Sequence, residues 1–132
     1  MKKKYLFIAI LIISTLLTGC GKERKADILE NNSKKINKLC PVRVDSLLIL
    51  DSTFYNREKN SMTYFYTASG ILDDSLLLHK NYNQIKSSLI DAMDNSVDMK
   101  KFKDYEVTII YKYNSDTTGN ELATFTLPTK KE

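Results

Sequence analysis

The amino-terminal segment constrains the chain most strongly, because it separates residues that can join a fold from residues that cannot. Lys2, Lys3 and Lys4 form a positive patch, and Tyr5 to Leu17 is apolar except for Ser14 and Thr15. A helix of that length rises about 20 Å, short of the roughly 30 Å hydrocarbon core of a bilayer. Positive flank and short apolar run together predict a secretory signal rather than a transmembrane anchor. No second stretch of comparable hydropathy is present, so the remainder is expected to fold as one soluble domain.

The residues at the end of the apolar run are more specific. Leu17-Thr18-Gly19-Cys20 resembles the lipobox of bacterial lipoproteins. The resemblance implies cleavage before Cys20, diacylation of its thiol and a palmitate-type anchor in a membrane. Residues 1–19 would then be a lipoprotein signal peptide, 20–26 a lipidated tether, 27–128 a single domain and 129–132 a polar tail. Each buried methylene contributes about 0.8 kcal/mol, so two or three acyl chains hold such a protein firmly at a bilayer. Gly21 is not the Asp that marks inner-membrane retention in some bacteria, which favours the outer membrane and leaves its two faces open.

Composition matters here mainly for what it excludes. With 4 Gly and 2 Pro in 132 residues the chain is neither collagen-like nor low-complexity, and 2 Cys cannot staple a disulfide scaffold. The formal charge of +4 invites a nucleic-acid reading. Loss of Lys2, Lys3 and Lys4 with the signal leaves 17 basic against 16 acidic residues, and that reading falls away.

Periodicity gives the elements. Leu29, Ile36 and Cys40 recur near helical period, with Asp27 and Glu30 at capping-box spacing and Asn31, Asn32 and Ser33 weakening the middle. Pro41 ends that helix. Val42 to Tyr55 alternates as a strand, with Leu48, Leu50 and Phe54 on one face, and its doubly apolar middle suits double cover or a bulge. Asn56 to Asn60 is a turn, and Ser61 to Ala68 a second strand. Ile71 to Lys80 fits a short strand or a helix equally. Asn81 and Gln84 have capping-box spacing before a helix whose stripe is Tyr82, Ile85, Leu89, Ala92, Met93 and Val97. Met99 to Tyr105 reads as a charged connector plugged by Phe102 and Tyr105, and Val107–Tyr113 and Glu121–Leu127 as strands around a turn at Gly119. The order α-β-β-α-β-β predicts an α+β fold: a four-stranded, mostly antiparallel sheet packed by one or two helices.

Candidate chemistry is sparse. His79 is the single histidine and has no partner for a zinc site or a relay, so it reads as a surface residue. Cys40, the one thiol left after lipidation of Cys20, reads as a buried small hydrophobe at a helix end. Asp73-Asp74 suits capping or solvation, and Asp91, Asp94 and Asp98 a solvated helix face. No cofactor motif and no metal-ligand spacing is present. Tyr64, Tyr66, Tyr111 and Tyr113 fall on strands, either as core beneath a helix or as a contact surface with wet hydroxyls.

A second resemblance spans roughly 37–128. Lys38-Leu39-Cys40-Pro41-Val42-Arg43-Val44-Asp45, Tyr64-Phe65-Tyr66 and Val107-Thr108-Ile109-Ile110-Tyr111-Lys112-Tyr113 resemble small uncharacterised lipoproteins of gut-dwelling Gram-negative bacteria. It implies a fold type and a compartment, and assigns no site. The reading that results is a membrane-anchored, non-enzymatic module that binds an envelope protein through a sheet face or edge, an inhibitor or immunity protein being one version. The alternatives are a small enzyme or ligand carrier using Cys40 or His79, and a passive structural lipoprotein.

Overall fold

Helix α1 occupies residues 24–39 of the computed structural model, which describes residues 24–129; the signal segment, Cys20 and residues 130–132 lie outside them. Strands β1 (Val42–Arg43), β2 (Leu48–Asn56) and β3 (Ser61–Ala68) come next, then one 3-10 turn at Gly70–Leu72. Helices α2 (Ser75–Lys80), α3 (Tyr82–Asp94) and α4 (Lys100–Asp104) lead to β4 (Thr108–Ser115) and β5 (Glu121–Leu127). The strands form one sheet in the order β1-β2-β3-β4-β5, antiparallel throughout except for the central β3–β4 pair. The α+β class is as expected, but the sheet has five strands rather than four, and four helices are described rather than one or two.

Three local causes explain the differences. The expected strand from Val42 to Tyr55 is broken because the Asp45 carboxylate accepts from Leu47 N (2.7 Å) and Leu48 N (2.9 Å), folding residues 44–47 into a turn. That turn makes β1 a separate two-residue strand beside β2. Within β2 the register shifts between Leu50 and Ser52. The bulge turns Thr53 and Tyr55 inward and leaves Phe54 57% exposed, so Phe54 does not share the face of Leu48 and Leu50. Finally, β3 and β4 run parallel, which requires a crossover, and α2 to α4 supply it.

The helix ends also differ from the sequence reading. Residues 24–26 are already helical, so Asp27 and Glu30 lie inside α1 instead of capping it. Both carboxylates take Arg57 in the β2–β3 turn, with Arg57 Nε donating to Glu30 Oε2 at 2.7 Å. Asn81 makes no side-chain cap for α3; it donates back to Leu77 O (2.9 Å) at the end of α2. The cap in this region is Asp74, which accepts from Leu76 N (2.9 Å) and Leu77 N (3.1 Å) and starts α2. Residues 75–80 are therefore helical, and the charged connector contains α4 with Phe102 buried. Val97 lies beyond α3 and is exposed, as is Ala92, so both leave the expected stripe.

The helices cover one sheet face with two apolar clusters. Leu29 of α1, Tyr55, Met62, Ile109 and Leu127 of the sheet, and Met93 and Phe102 build the first. Ala68, Leu78, Leu122, Ala123 and Phe125 build the second, under α2 and the start of α3. The turn residues support these layers. Asn60, at φ 47°, accepts from Tyr55 Oη (2.7 Å) and donates to Tyr105 O (3.0 Å), tying the β2–β3 turn to the chain entering β4. Gly119 has φ 74°, the positive value expected of it in the β4–β5 turn.

Candidate functional site

Strand pairing places the four tyrosines side by side. Tyr64 lies opposite Tyr111 and Tyr66 opposite Tyr113 across the parallel β3–β4 pair, all on the helix-covered face. Ring centroids are 5.5 Å apart for Tyr64–Tyr111, 5.9 Å for Tyr66–Tyr111 and 5.3 Å for the stacked Tyr66–Tyr113 pair. Phe125 meets Tyr113 edge-on at 5.8 Å and stacks on Tyr82 of α3 at 4.7 Å, extending the aromatic row to β5.

The row is neither core nor open surface. All four rings are half-buried. Tyr64, Tyr111 and Tyr113 pack against the apolar clusters, whereas Tyr66 rests on Tyr111 and Tyr113. Tyr55 and Tyr82 commit their hydroxyls to Asn60 and to Thr124 O. Among the described residues the hydroxyls of Tyr64, Tyr66, Tyr111 and Tyr113 have no protein partner, and none is sealed from solvent. Burial of the rings pushes all four phenols up, Tyr113 to about 12, with neighbouring phenols adding to the effect on Tyr64, Tyr66 and Tyr113. They are neutral donors at physiological pH.

Two cavities flank the row. Tyr64 floors a cleft of about 550 Å³ between α1 and the α3–α4 segment, whose walls include Asn32, Lys35 and Ile36 on one side and Asp98, Met99 and Lys101 on the other. Tyr113 borders a smaller, almost wholly apolar cavity of about 170 Å³ with Leu48, Leu78 and Ile85. Amide, ammonium and phenol groups around apolar walls suit a polypeptide, which offers both kinds of partner. From sequence Ile36 reads as part of an apolar stripe and Asn32 as a weak point of the helix, and neither as part of a site. The signal for this wall was the pair Asn31–Asn32 within an amphipathic helix, which lines the cleft, whereas Ser33 turns inward to Thr53.

The sheet edges are closed to a partner where the helices reach them. The Asn37 amide accepts from Thr53 N (2.6 Å) and donates to Thr53 O (2.8 Å) on β2. Ser33 Oγ and Thr53 Oγ1 meet at 2.7 Å beside it. On β5, Tyr82 Oη donates to Thr124 O at 3.1 Å. Unpaired strand edges invite pairing, and side chains that occupy them remove the template.

The remaining candidates stand apart. Cys40 is a half-buried free thiol, and burial followed by the nearby Asp51 carboxylate pushes it up, away from the reactive thiolate. His79 is exposed on α2, where its Nδ1 meets Ser75 O at 2.6 Å. No contact joins the two among the described residues. Asp73 accepts from Thr117 N (3.1 Å) and Oγ1 (2.7 Å), and Asp94 pairs with Lys103. Cys20 lies outside the described residues, and no helix among them is long and apolar enough to cross a membrane.

The fold has solved counterparts. A candidate secreted protein of Pseudomonas aeruginosa, PA3611, aligns with a TM-score of 0.68 at 12% identity, covering 81% of this chain and 91% of that one. The pilotin EpsS of the Vibrio vulnificus type 2 secretion system aligns at 0.62 and 10% identity, over 85% and 98%. AspS, the type II secretion pilotin of Vibrio cholerae, aligns at 0.59 and 10%, over 83% and 94%. Identities this low establish a shared fold. No curated protein matches the sequence. A family model described as a domain of unknown function, DUF8479, matches residues 23–123, and the chain belongs to that family.

Proposed function

We propose that the protein is a lipid-tethered, non-enzymatic binding module of the bacterial cell envelope. Cys20 carries the anchor, and the groove between α1 and α3–α4, floored by Tyr64 at one end of the tyrosine row, receives a segment of another envelope protein. One observation carries the site: four adjacent tyrosines whose rings are fixed by packing and whose hydroxyls have no protein partner. A core tyrosine finds a partner for its hydroxyl, as Tyr55 and Tyr82 do; these four keep theirs for something else. The Asn37 amide, which takes both the N–H and the C=O of Thr53 on the β2 edge, favours the groove over strand addition there.

The likeness in fold to two type II secretion pilotins favours a helper of an envelope assembly as the version of this module. Inhibitor and immunity types are the other versions. An enzyme or carrier built on Cys40 and His79 is disfavoured by their separate surroundings. Tethering at the outer membrane is part of the proposal. Cys20→Ser should abolish incorporation of labelled palmitate and release the chain from membranes.

Site-specific photo-crosslinking in intact cells tests the groove. A photoreactive residue at Lys35, on the groove wall, should give a discrete adduct that Tyr64→Ala, with its fold verified by circular dichroism, removes. The same probe at Thr126, exposed on β5, should not give it. Adducts of equal yield from both positions, or an adduct indifferent to the tyrosine change, would overturn the assignment.

A further inference from the structure

Large apolar side chains left in water are unevenly placed on this molecule. Besides Phe54 and Val97, which stand apart, Leu39, Val42, Val44, Ile71, Leu76 and Leu77 are exposed, Ile71 by 73% and Leu76 by 80%. All six stand at the end where α1 finishes and β2 begins. Helix α1 runs along the β2 edge, with Glu30 at Arg57 and Asn37 at Thr53, so residue 24 is at the opposite end. Sixteen residues of helix separate the two ends by about 24 Å. The β1–β2 turn and the 3-10 turn touch at this end, with Ser69 N donating to Leu47 O at 2.9 Å.

Part of this surface is concave. Ile71, Leu76 and Leu77 line an open cleft of about 830 Å³ together with Asp73, Asp74 and Glu121, and no Lys or Arg lines it. Glu121 accepts from Thr124 Oγ1 and has Lys112 Nζ at 4.0 Å, which leaves Asp73 and Asp74, among the described residues of the cleft, as the carboxylates without a cation. Asp74 is held by the α2 cap, and hydrogen bonds from Ser115 and Thr117 hold the Asp73 carboxyl below its ordinary range, so it stays charged. An apolar floor with a rim of one sign selects the opposite sign in its partner. A second copy would bring the same carboxylates to the same place, and an anionic lipid surface has the same sign. Both are repelled.

We propose that this cleft is a second docking site, and that its occupant is a basic amphipathic segment of another protein. Its apolar side chains cover Ile71 and Leu76, and its Lys or Arg side chains face Asp73 and Asp74. The site is separate from the tyrosine groove and does not rest on the function proposed for it.

Panning the purified, exported protein against a random twelve-residue peptide library tests this. Selected peptides should combine Lys or Arg with Leu, Ile or Phe. Leu76→Asn should weaken them at least ten-fold, and Asp74→Asn, which keeps the helix cap, about three-fold. Added salt should weaken the unchanged protein more than Asp74→Asn. Leu76 is exposed enough for its variant to keep its melting temperature, which thermal unfolding verifies. Three outcomes would overturn the proposal. Selected peptides could lack a basic bias. They could bind Leu76→Asn equally while losing Tyr64→Ala, which places them in the groove. Sedimentation could show a dimer that Leu76→Asn dissolves, which makes the occupant a second copy.

Discussion

The Asn37 carboxamide takes the place of a peptide unit on the β2 edge, accepting from and donating to the same residue, Thr53. Two bonds from one side chain require Thr53 to face α1, and the bulge after Leu50 produces that orientation. Removing the amide leaves a part-buried N–H and C=O without partners, which costs about 1–3 kcal/mol. Asn37→Ala should therefore lower stability by that amount in urea unfolding, while Asn37→Asp, which keeps only the acceptor, should fall between. Nothing in the sequence marks this residue. Asn37 sits between Ile36 and Lys38 in a run with no motif, and its partner Thr53 is assigned to a face only once the bulge is known. The tyrosines are the converse: alternation placed Tyr64, Tyr66, Tyr111 and Tyr113 on one sheet face, but not the openness above them, which depends on where α1 and α3 lie.

Among the elements, α2 shows how short-range chemistry settles an ambiguous segment. Ile71 to Lys80 had no decisive period, and the Asp74 carboxylate decides it by satisfying the first free N–H groups of a six-residue helix. Asp74→Ala should cost about 1 kcal/mol and Asp74→Asn much less, because Asn caps as well as Asp. Chemical denaturation of both variants checks this, with amide exchange at Leu76 and Leu77 reporting the loss locally. The strands were legible because alternation survives at β3, β4 and β5 with few interruptions. The parallel β3–β4 pairing was not, since alternation is blind to strand direction. Capping boxes misled twice, at Asp27 and at Asn81, because spacing cannot show whether a backbone N–H is already bonded within a helix.

At the scale of the whole molecule the tyrosine row makes stability depend on alkaline pH. A phenol whose folded value lies above its unfolded value of 10.0 adds stability that is complete below pH 10 and is lost as pH rises through the folded value, about 12 for Tyr113. Tyr64, Tyr66 and Tyr111 are shifted the same way, so their losses add. Urea midpoints should be flat from pH 7 to 9 and should fall between pH 10 and 12, with tyrosinate absorbance rising as the chain unfolds. Tyr66→Phe should reduce the steepness of that fall. A midpoint indifferent to pH up to 12 would mean that the rings are freely hydrated.

The parallel seam between β3 and β4 also sets the order in which the molecule is assembled. The β2–β3 and β4–β5 hairpins close over short turns, but the seam joins residues 47 positions apart in the pair Ser61–Thr108. Loop closure on that scale is paid before the contacts return anything, which makes it the slow step. A chain delivered amino end first would complete α1 and the first hairpin while β3 still lacked its neighbour. Until β4 arrives, Tyr64 and Tyr66 stand beside an open strand edge, and that interval is when a holding chaperone would be needed.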